Sequence, residues 1–258
     1  MKNPFSLNGK TALVAGASRG IGLAIARAMA EAGARTVLAA RSMEALEKHA
    51  AELRAKGLLA EARHLDFTRP ETIQALAGEW GSETGILVNV AGMNIRKQAE
   101  KFTREEYDRL LQTNLHGIFE LTQLMGAAMI ARGQGGKIIN IGSETSHLGL
   151  PYVSVYGISK AGIAGLTFAL AAEWGRYNIQ VNGIIPGFII TDLNRVMWQS
   201  ETLRAWLRGV QANPEPGVPE DVAPVAVFLA SSASDYVTGQ MIAVDGGLST
   251  TLVWPFQP

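Results

Sequence analysis

The stretch TALVAGASRGIGLAIARAMAEAGARTVLAA, residues 11–40, leaves few folds open. A short apolar run over 11–15 meets a glycine-rich turn, and Ile21, Ile25 and Met29 then recur at helical spacing. Gly33 closes that helix and a second apolar run, TVLAA, follows. Strands that are apolar at every position are buried on both faces, as in a parallel sheet. The chain therefore opens with a β-α-β unit. Gly16, Gly20 and Gly22 in AGASRGIG, with Ser18 and Ile21 in the same loop, permit a tight turn and the close approach of a pyrophosphate. The start of the helix supplies free N–H groups and the positive end of its dipole. A bare structural turn would also use such glycines, but the position between the first strand and its helix favours nucleotide binding.

The same alternation runs on. Helices are expected over 43–56, 70–80, 103–131 and 219–230 and in the VYGISK segment, with strands over 60–65 and in GILVNVAG, GGKIINIGS, IQVNGIIPG and MIAVDGG. About seven strands alternating with helices, and no Ser/Pro-rich linker, predict a single doubly wound Rossmann-type α/β domain over 1–258 with a mostly parallel sheet. Residues 188–218 escape the pattern and are expected to cover substrate, because such sheets bind ligands beyond the carboxyl ends of their strands.

Composition narrows the function. Lys+Arg and Asp+Glu both number 23, so no overall basic field exists for nucleic acid or an anionic membrane. There is no cysteine, which removes disulfides, thiolate metal sites and a Cys nucleophile, and four scattered histidines predict no metal site. The N-terminus lacks the apolar region of a signal peptide, and no stretch reads as long and apolar enough to cross a bilayer. A soluble cytoplasmic protein is expected.

The second strand ends Ala39, Ala40, Arg41, Ser42, without the carboxylate that NAD-preferring sites place on the ribose hydroxyls. Arg41 can instead pair with a 2′-phosphate, and Arg19 in the glycine loop can reach the same group. NADP(H) is the expected cofactor, with NAD the alternative; two solvated arginines are the bland reading.

Tyr156 and Lys160 lie four residues apart, so on a helix they share a face. Free tyrosine titrates near 10, and service near neutral pH needs a decrease of about two to three units. An ammonium about 5 Å away at an effective dielectric of ~20 supplies on the order of 3 kcal/mol. The pair is therefore expected to act as an acid/base device, with the lysine lowering the tyrosine.

Taken in order, GASRGIG, VNVAG, the NL of QTNLHG, the serine of INIGS, YGISK, the PG after VNGII and the closing VDGG resemble the short-chain dehydrogenase/reductase family over nearly the whole chain. The resemblance implies that Tyr156 exchanges a proton with a ketone or alcohol oxygen, that Lys160 tunes it and holds the nicotinamide ribose, and that Ser143 binds the substrate oxygen. It implies that Asn114 holds a water linking Lys160 to solvent. Asp66 and Phe67 would stand at the adenine, Asn89, Ala91 and Gly92 would form a turn that stabilises the central sheet and passes the adenine ribose, and Pro186, Gly187, Ile189 and Thr191 would stand at the nicotinamide amide. For Asp66 a helix N-terminal acid is the plainer alternative. Ala15 replaces the family's usual Thr, and Val90 the second Asn of its turn, which puts local rigidity in doubt. There is no sign of the wider Tyr–Lys interval of enoyl reductases. A catalytically silent NADP(H) sensor is the non-enzyme alternative.

The residues around VAGMNIRKQAEKFT resemble the gluconate 5-dehydrogenase and 2-keto-3-deoxygluconate dehydrogenase subgroup, which implies a sugar-acid substrate. Arg96, with Asn94 beside it, and Arg195 are the candidate carboxylate anchors; solvated side chains are the alternative. Glu144 and His147 are candidate pocket residues, as is Trp198. Met197, Trp198, Leu203, Trp206 and Leu207 would equally suit an apolar or cyclic ketone, unless Leu203, Trp206 and Leu207 merely pack the segment down. The apolar tail TLVWPFQP is expected to be covered by a partner subunit, and the resemblance implies a homotetramer.

Overall fold

The computed structural model describes residues 3–192 and 194–253. Seven strands form one sheet in the order β3-β2-β1-β4-β5-β6-β7. They are β1 (Thr11–Ala15), β2 (Arg35–Ala40), β3 (Ala60–His64), β4 (Thr84–Asn89), β5 (Gly136–Ile141), β6 (Ile179–Pro186) and β7 (Met241–Val244). Every pairing is parallel. The chain order reverses between β1 and β4, and the carboxyl ends of those two strands frame the crevice where ligands of such sheets sit.

Alternation along β1 shows how the layers form. Ala12 and Val14 pack with α1 (Gly20–Glu31), α2 (Met43–Ala55) and α8 (Pro219–Ala230). Leu13 and Ala15 pack with α3 (Pro70–Trp80), α5 (Gly117–Arg132) and α6 (Ser154–Trp174). Two apolar cores on opposite faces of one sheet explain why its strands carry no polar face. Pro70 and Pro219 stand in the first turns of α3 and α8, where the missing N–H costs nothing.

The helix expected over 103–131 is interrupted. The capping box of Thr103 and Glu106 starts α4 (Arg104–Leu111), a π-helical turn occupies Gln112–His116, and α5 follows. A π turn inserts a residue into the helical ladder, a distortion concentrated at functional sites, and Asn114 lies within it.

One segment corrects the membrane expectation. Ser154–Tyr177, that is α6 with its short extension, spans 24 residues at mean hydropathy 1.4, long and apolar enough to cross a bilayer. Its Ile163, Leu170, Ala171 and Trp174 instead belong to the core under the sheet, which accounts for the apolar run. In the tail, Leu252 is 90% exposed and Val253 is exposed too, so no other described residue covers them; residues 254–258 lie outside the described residues.

Candidate active site

The carboxyl ends of the strands open into a cleft of about 1440 Å³. One end is built by the glycine turn. Gly16 has φ 106°, and a Cβ there would stand 2.6 Å from the Ala91 backbone N; a Cβ on Gly22 would stand 2.1 Å from the Gly16 carbonyl O. The turn therefore closes only with glycine at both positions. No side chain caps α1, so its first N–H groups are left for a ligand. Gly16, Ser18, Arg19, Gly20, Ile21 and Gly22 line this end, and Arg41, Ser42, Asp66 and Phe67 continue the wall. Arg19 and Arg41 are exposed to solvent there. This donor set fits a dinucleotide with an anionic group beyond the pyrophosphate.

The Asp66 carboxylate accepts hydrogen bonds from the Thr68 N–H (2.9 Å) and hydroxyl (2.8 Å). Burial pushes its pKa up, but those bonds and the charge of Arg41 leave it lowered. It both braces the entry to α3 and faces the cleft, so the two readings of Asp66 are compatible.

Ala91, Gly92, Pro186, Gly187, Ile189 and Thr191 also line the cleft, but Asn89 does not. Asn89 is buried behind it and donates to Thr122 Oγ1 (2.9 Å) and Asn140 Oδ1 (2.8 Å). Its position at the end of a central strand turns the side chain into the sheet–helix layer, where it ties β4 to β5 and α5.

At the centre stand Ser143, Tyr156 and Lys160. Lys160 is buried, its Nζ donates to the Ile141 carbonyl (2.7 Å) and lies 5.8 Å from the centre of the Tyr156 ring. Burial pushes its ammonium down to about 8. Burial also pushes the Tyr156 hydroxyl above its ordinary value, with the Ser143 hydroxyl pulling the other way. In the protein alone desolvation thus sets the direction for Tyr156, opposite to the one expected from Lys160 with a bound nicotinamide. The Asn114 amide is taken up by the Met93 backbone, accepting from its N–H (2.8 Å) and donating to its carbonyl (2.8 Å), and by Ser159 Oγ (3.2 Å). Its side chain fixes the strand-end loop against α6.

On the substrate side, Asn94, Arg96, Glu144, Met197, Leu203 and Trp206 line the cleft. The Arg96 guanidinium meets the Met197 sulfur at 3.2 Å, and no carboxylate pairs with it among the described residues. Three candidates fall elsewhere. Arg195 pairs with Asp192 (3.2 Å) on the solvent side. His147 is exposed and outside the lining. Trp198 is buried beneath the segment, edge-on to Phe188 at 5.6 Å between ring centres, with Trp206 on the same ring at 5.4 Å.

A family model described as enoyl-(acyl carrier protein) reductase matches residues 16–249. Gluconate 5-dehydrogenase of Gluconobacter oxydans is 37% identical over 252 residues, 96% of this chain and 98% of that protein. This chain belongs to the short-chain dehydrogenase/reductase family. The 2-dehydro-3-deoxy-D-gluconate 5-dehydrogenase of Bacillus subtilis is 41% identical over 250 residues, 96% of this chain and 97% of that one. A solved gluconate 5-dehydrogenase from Burkholderia cenocepacia J2315, in complex with NADP and tartrate, has a TM-score of 0.91 at 37% identity and covers 96% of this chain and 98% of its own. The chain is thus an NAD(P)-dependent oxidoreductase acting on CH–OH groups. The name of the matching model does not extend to an enoyl-reductase site, since Tyr156 and Lys160 stand four apart on α6.

Several residues that position the site of this dehydrogenase escaped the sequence reading. Ser146 accepts from the Ser143 N–H (3.3 Å) and donates to the Lys160 carbonyl (3.0 Å), so it locks the serine loop to α6. Ser159 bonds the Tyr156 carbonyl (2.7 Å) as well as Asn114. Tyr152, on the cleft wall, holds φ 66°, a strained value for a residue with a side chain. Serines within a turn of the tetrad were the available signal; the strain has none.

The buried stack on Phe188 gives a first prediction. Truncating Trp198 to Ala removes a core ring, and we expect stability to fall by about 3 kcal/mol. Denaturant unfolding checks the loss, and NADPH affinity is expected to stay within about twofold because Trp198 touches no part of the cofactor end.

Proposed function

We propose that this dehydrogenase transfers hydride between NADP(H) and a secondary alcohol or ketone on a sugar acid, with gluconate and 5-ketogluconate as the working pair. The observation that carries the reading is Arg96, a cation in the cleft wall with a thioether but, among the described residues, no carboxylate against it. A sugar-acid carboxylate would take both its N–H groups in a bidentate pair. The names of the relatives point to the same substrate class.

Gly16 to Gly22 and the start of α1 would hold the pyrophosphate, and Arg41 with Arg19 the 2′-phosphate. The bound nicotinamide supplies the hydride chemistry. Tyr156 keeps its proton on the hydroxyl and gives it to the ketone oxygen, which Ser143 Oγ orients. Lys160 holds the ribose side of the cleft from below Tyr156, and Asn114 in the π turn carries the water that links Lys160 to solvent. The protein acts as one domain, with 188–218 covering the substrate.

A second reading rests on Met197, Leu203 and Trp206, which give the covering segment an apolar inner side suited to a cyclic or apolar ketone. Leu207, by contrast, is fully buried and packs the segment down. The test is NADPH oxidation by the purified protein with 5-ketogluconate, beside NADH and beside a cyclic diketone. We expect turnover with the keto acid and NADPH; turnover confined to the diketone would transfer the site to the second reading.

Exposed Phe119 on α5 and Ile158 and Phe168 on α6 support association between copies, with a homotetramer as the proposed state. The proposed setting is the cytoplasm, with a small-molecule substrate as the partner.

A further inference from the structure

Glu144 follows Ser143 directly and lines the same cleft, yet only 4% of it is exposed. Neither carboxyl oxygen is in good hydrogen-bonding geometry with a described residue, and Asp245 is the group near enough to share its proton. Leaving a buried polar group without a partner costs stability, so its retention in the wall of a cleft needs a reason. The charged group acting on it is Asp245, in the turn after β7.

Asp245 shows which way Glu144 is presented. Its carboxylate accepts from the Gly247 N–H (2.8 Å), the Ser249 N–H (2.8 Å) and the Ser249 hydroxyl (2.5 Å). A carboxylate offers about four acceptor sites, so about one is left for Glu144. Burial, with Asp245 adding to it, raises the Glu144 carboxyl to about 8, which keeps a proton on it at neutral pH. That proton serves the free acceptor site of Asp245. The remaining Glu144 oxygen is then an acceptor that no described residue fills.

We propose that Glu144 is a specificity residue: its free carboxyl oxygen accepts a hydrogen bond from a substrate hydroxyl other than the one that reacts, with Asp245 as the positioning residue behind it. The site thereby selects hydroxylated ketones over ketones of similar size without hydroxyls. It also fixes direction in the cleft, because an acceptor repels a carboxylate and leaves that group to Arg96. The inference rests on the sugar-acid reading only in requiring a hydroxylated substrate.

The test compares 5-ketogluconate, dihydroxyacetone and levulinate, which are respectively a hydroxylated keto acid, a hydroxylated ketone without a carboxylate, and a keto acid without hydroxyls. Wild-type kcat/KM is expected to be at least about tenfold higher for 5-ketogluconate than for levulinate, the ratio one good hydrogen bond provides. Glu144→Leu should raise KM for both hydroxylated substrates about 10- to 100-fold, leave kcat within about threefold, and leave levulinate unchanged. Glu144→Gln should restore KM, since its amide N–H₂ can serve Asp245 while its carbonyl faces the cleft. If the Leu variant does not fold, Glu144→Ala repeats the comparison. Equal effects on hydroxylated and unhydroxylated substrates, a Gln variant as impaired as Leu, or no wild-type preference would each overturn the proposal. Loss of the sugar-acid reading alone gives a different result: dihydroxyacetone remains sensitive to Glu144 while 5-ketogluconate is not turned over.

Discussion

Tyr156→Phe is expected to lower kcat for ketone reduction about a thousandfold, the middle of the range for removing a general acid or base. NADPH affinity, read from the fluorescence of the bound cofactor, should change by less than about twofold, because the ring and its packing remain. The direction of the titration shifts supports this role. Burial holds the Tyr156 hydroxyl above its ordinary value, so the protein alone keeps the tyrosine protonated, as a donor to a ketone must be. Two cleft groups titrate within reach of assay: Glu144, raised to about 8 by burial, and Lys160, pushed down to about 8 by burial. Below that pH Lys160 is a cation and above it the charge is lost. The kcat/KM for reduction should therefore be level below about pH 8 and decline above it, since that parameter reports the free enzyme. Retention of a tenth or more of kcat in the Phe variant would mean that another group, with Ser143 foremost, delivers the proton.

The first β-α-β unit and the common helix of Tyr156 and Lys160 were legible in the sequence because both depend on short-range periodicity and on residue types with few other uses. The π turn at Gln112–His116 was not, because one extra residue in a helical ladder leaves the apolar pattern of 104–132 nearly intact. Side-chain direction in the irregular 188–218 segment was lost for a related reason: without a period, residue type alone cannot say that Trp198 points inward while Trp206 and Met197 face the cleft. Arg195 reads as a candidate cation until Asp192 is seen beside it. The Glu144–Asp245 pair joins the ends of two strands far apart in the chain, and only the order β5-β6-β7 brings those ends together. The upward pull on Tyr156 in the protein alone was not legible, because a sequence does not report burial. Desolvation opposes the charged form of both Tyr156 and Lys160.

Arg41→Asp should raise KM for NADPH about 100-fold and change KM for NADH by less than about threefold. Arg41 is exposed at the carboxyl end of β2, on the cleft wall and near enough to Asp66 for its charge to lower that carboxyl. It is thus free to meet an anion arriving at the ribose. Charge-assisted bonds to such an anion contribute about 1.5–3 kcal/mol, which alone corresponds to roughly 10- to 150-fold in affinity. An aspartate at the same place adds repulsion toward a 2′-phosphate, and it offers an acceptor to a 2′-hydroxyl, the arrangement that NAD-preferring sites use. The variant should therefore reverse the preference between the two cofactors, with kcat on the preferred one kept within about threefold, because the change is remote from Tyr156. Steady-state kinetics with both cofactors at saturating ketone measures it. Equal losses for NADPH and NADH would mean that Arg41 supports the strand end and reads no phosphate, and the specificity would then pass to Arg19 in the glycine loop.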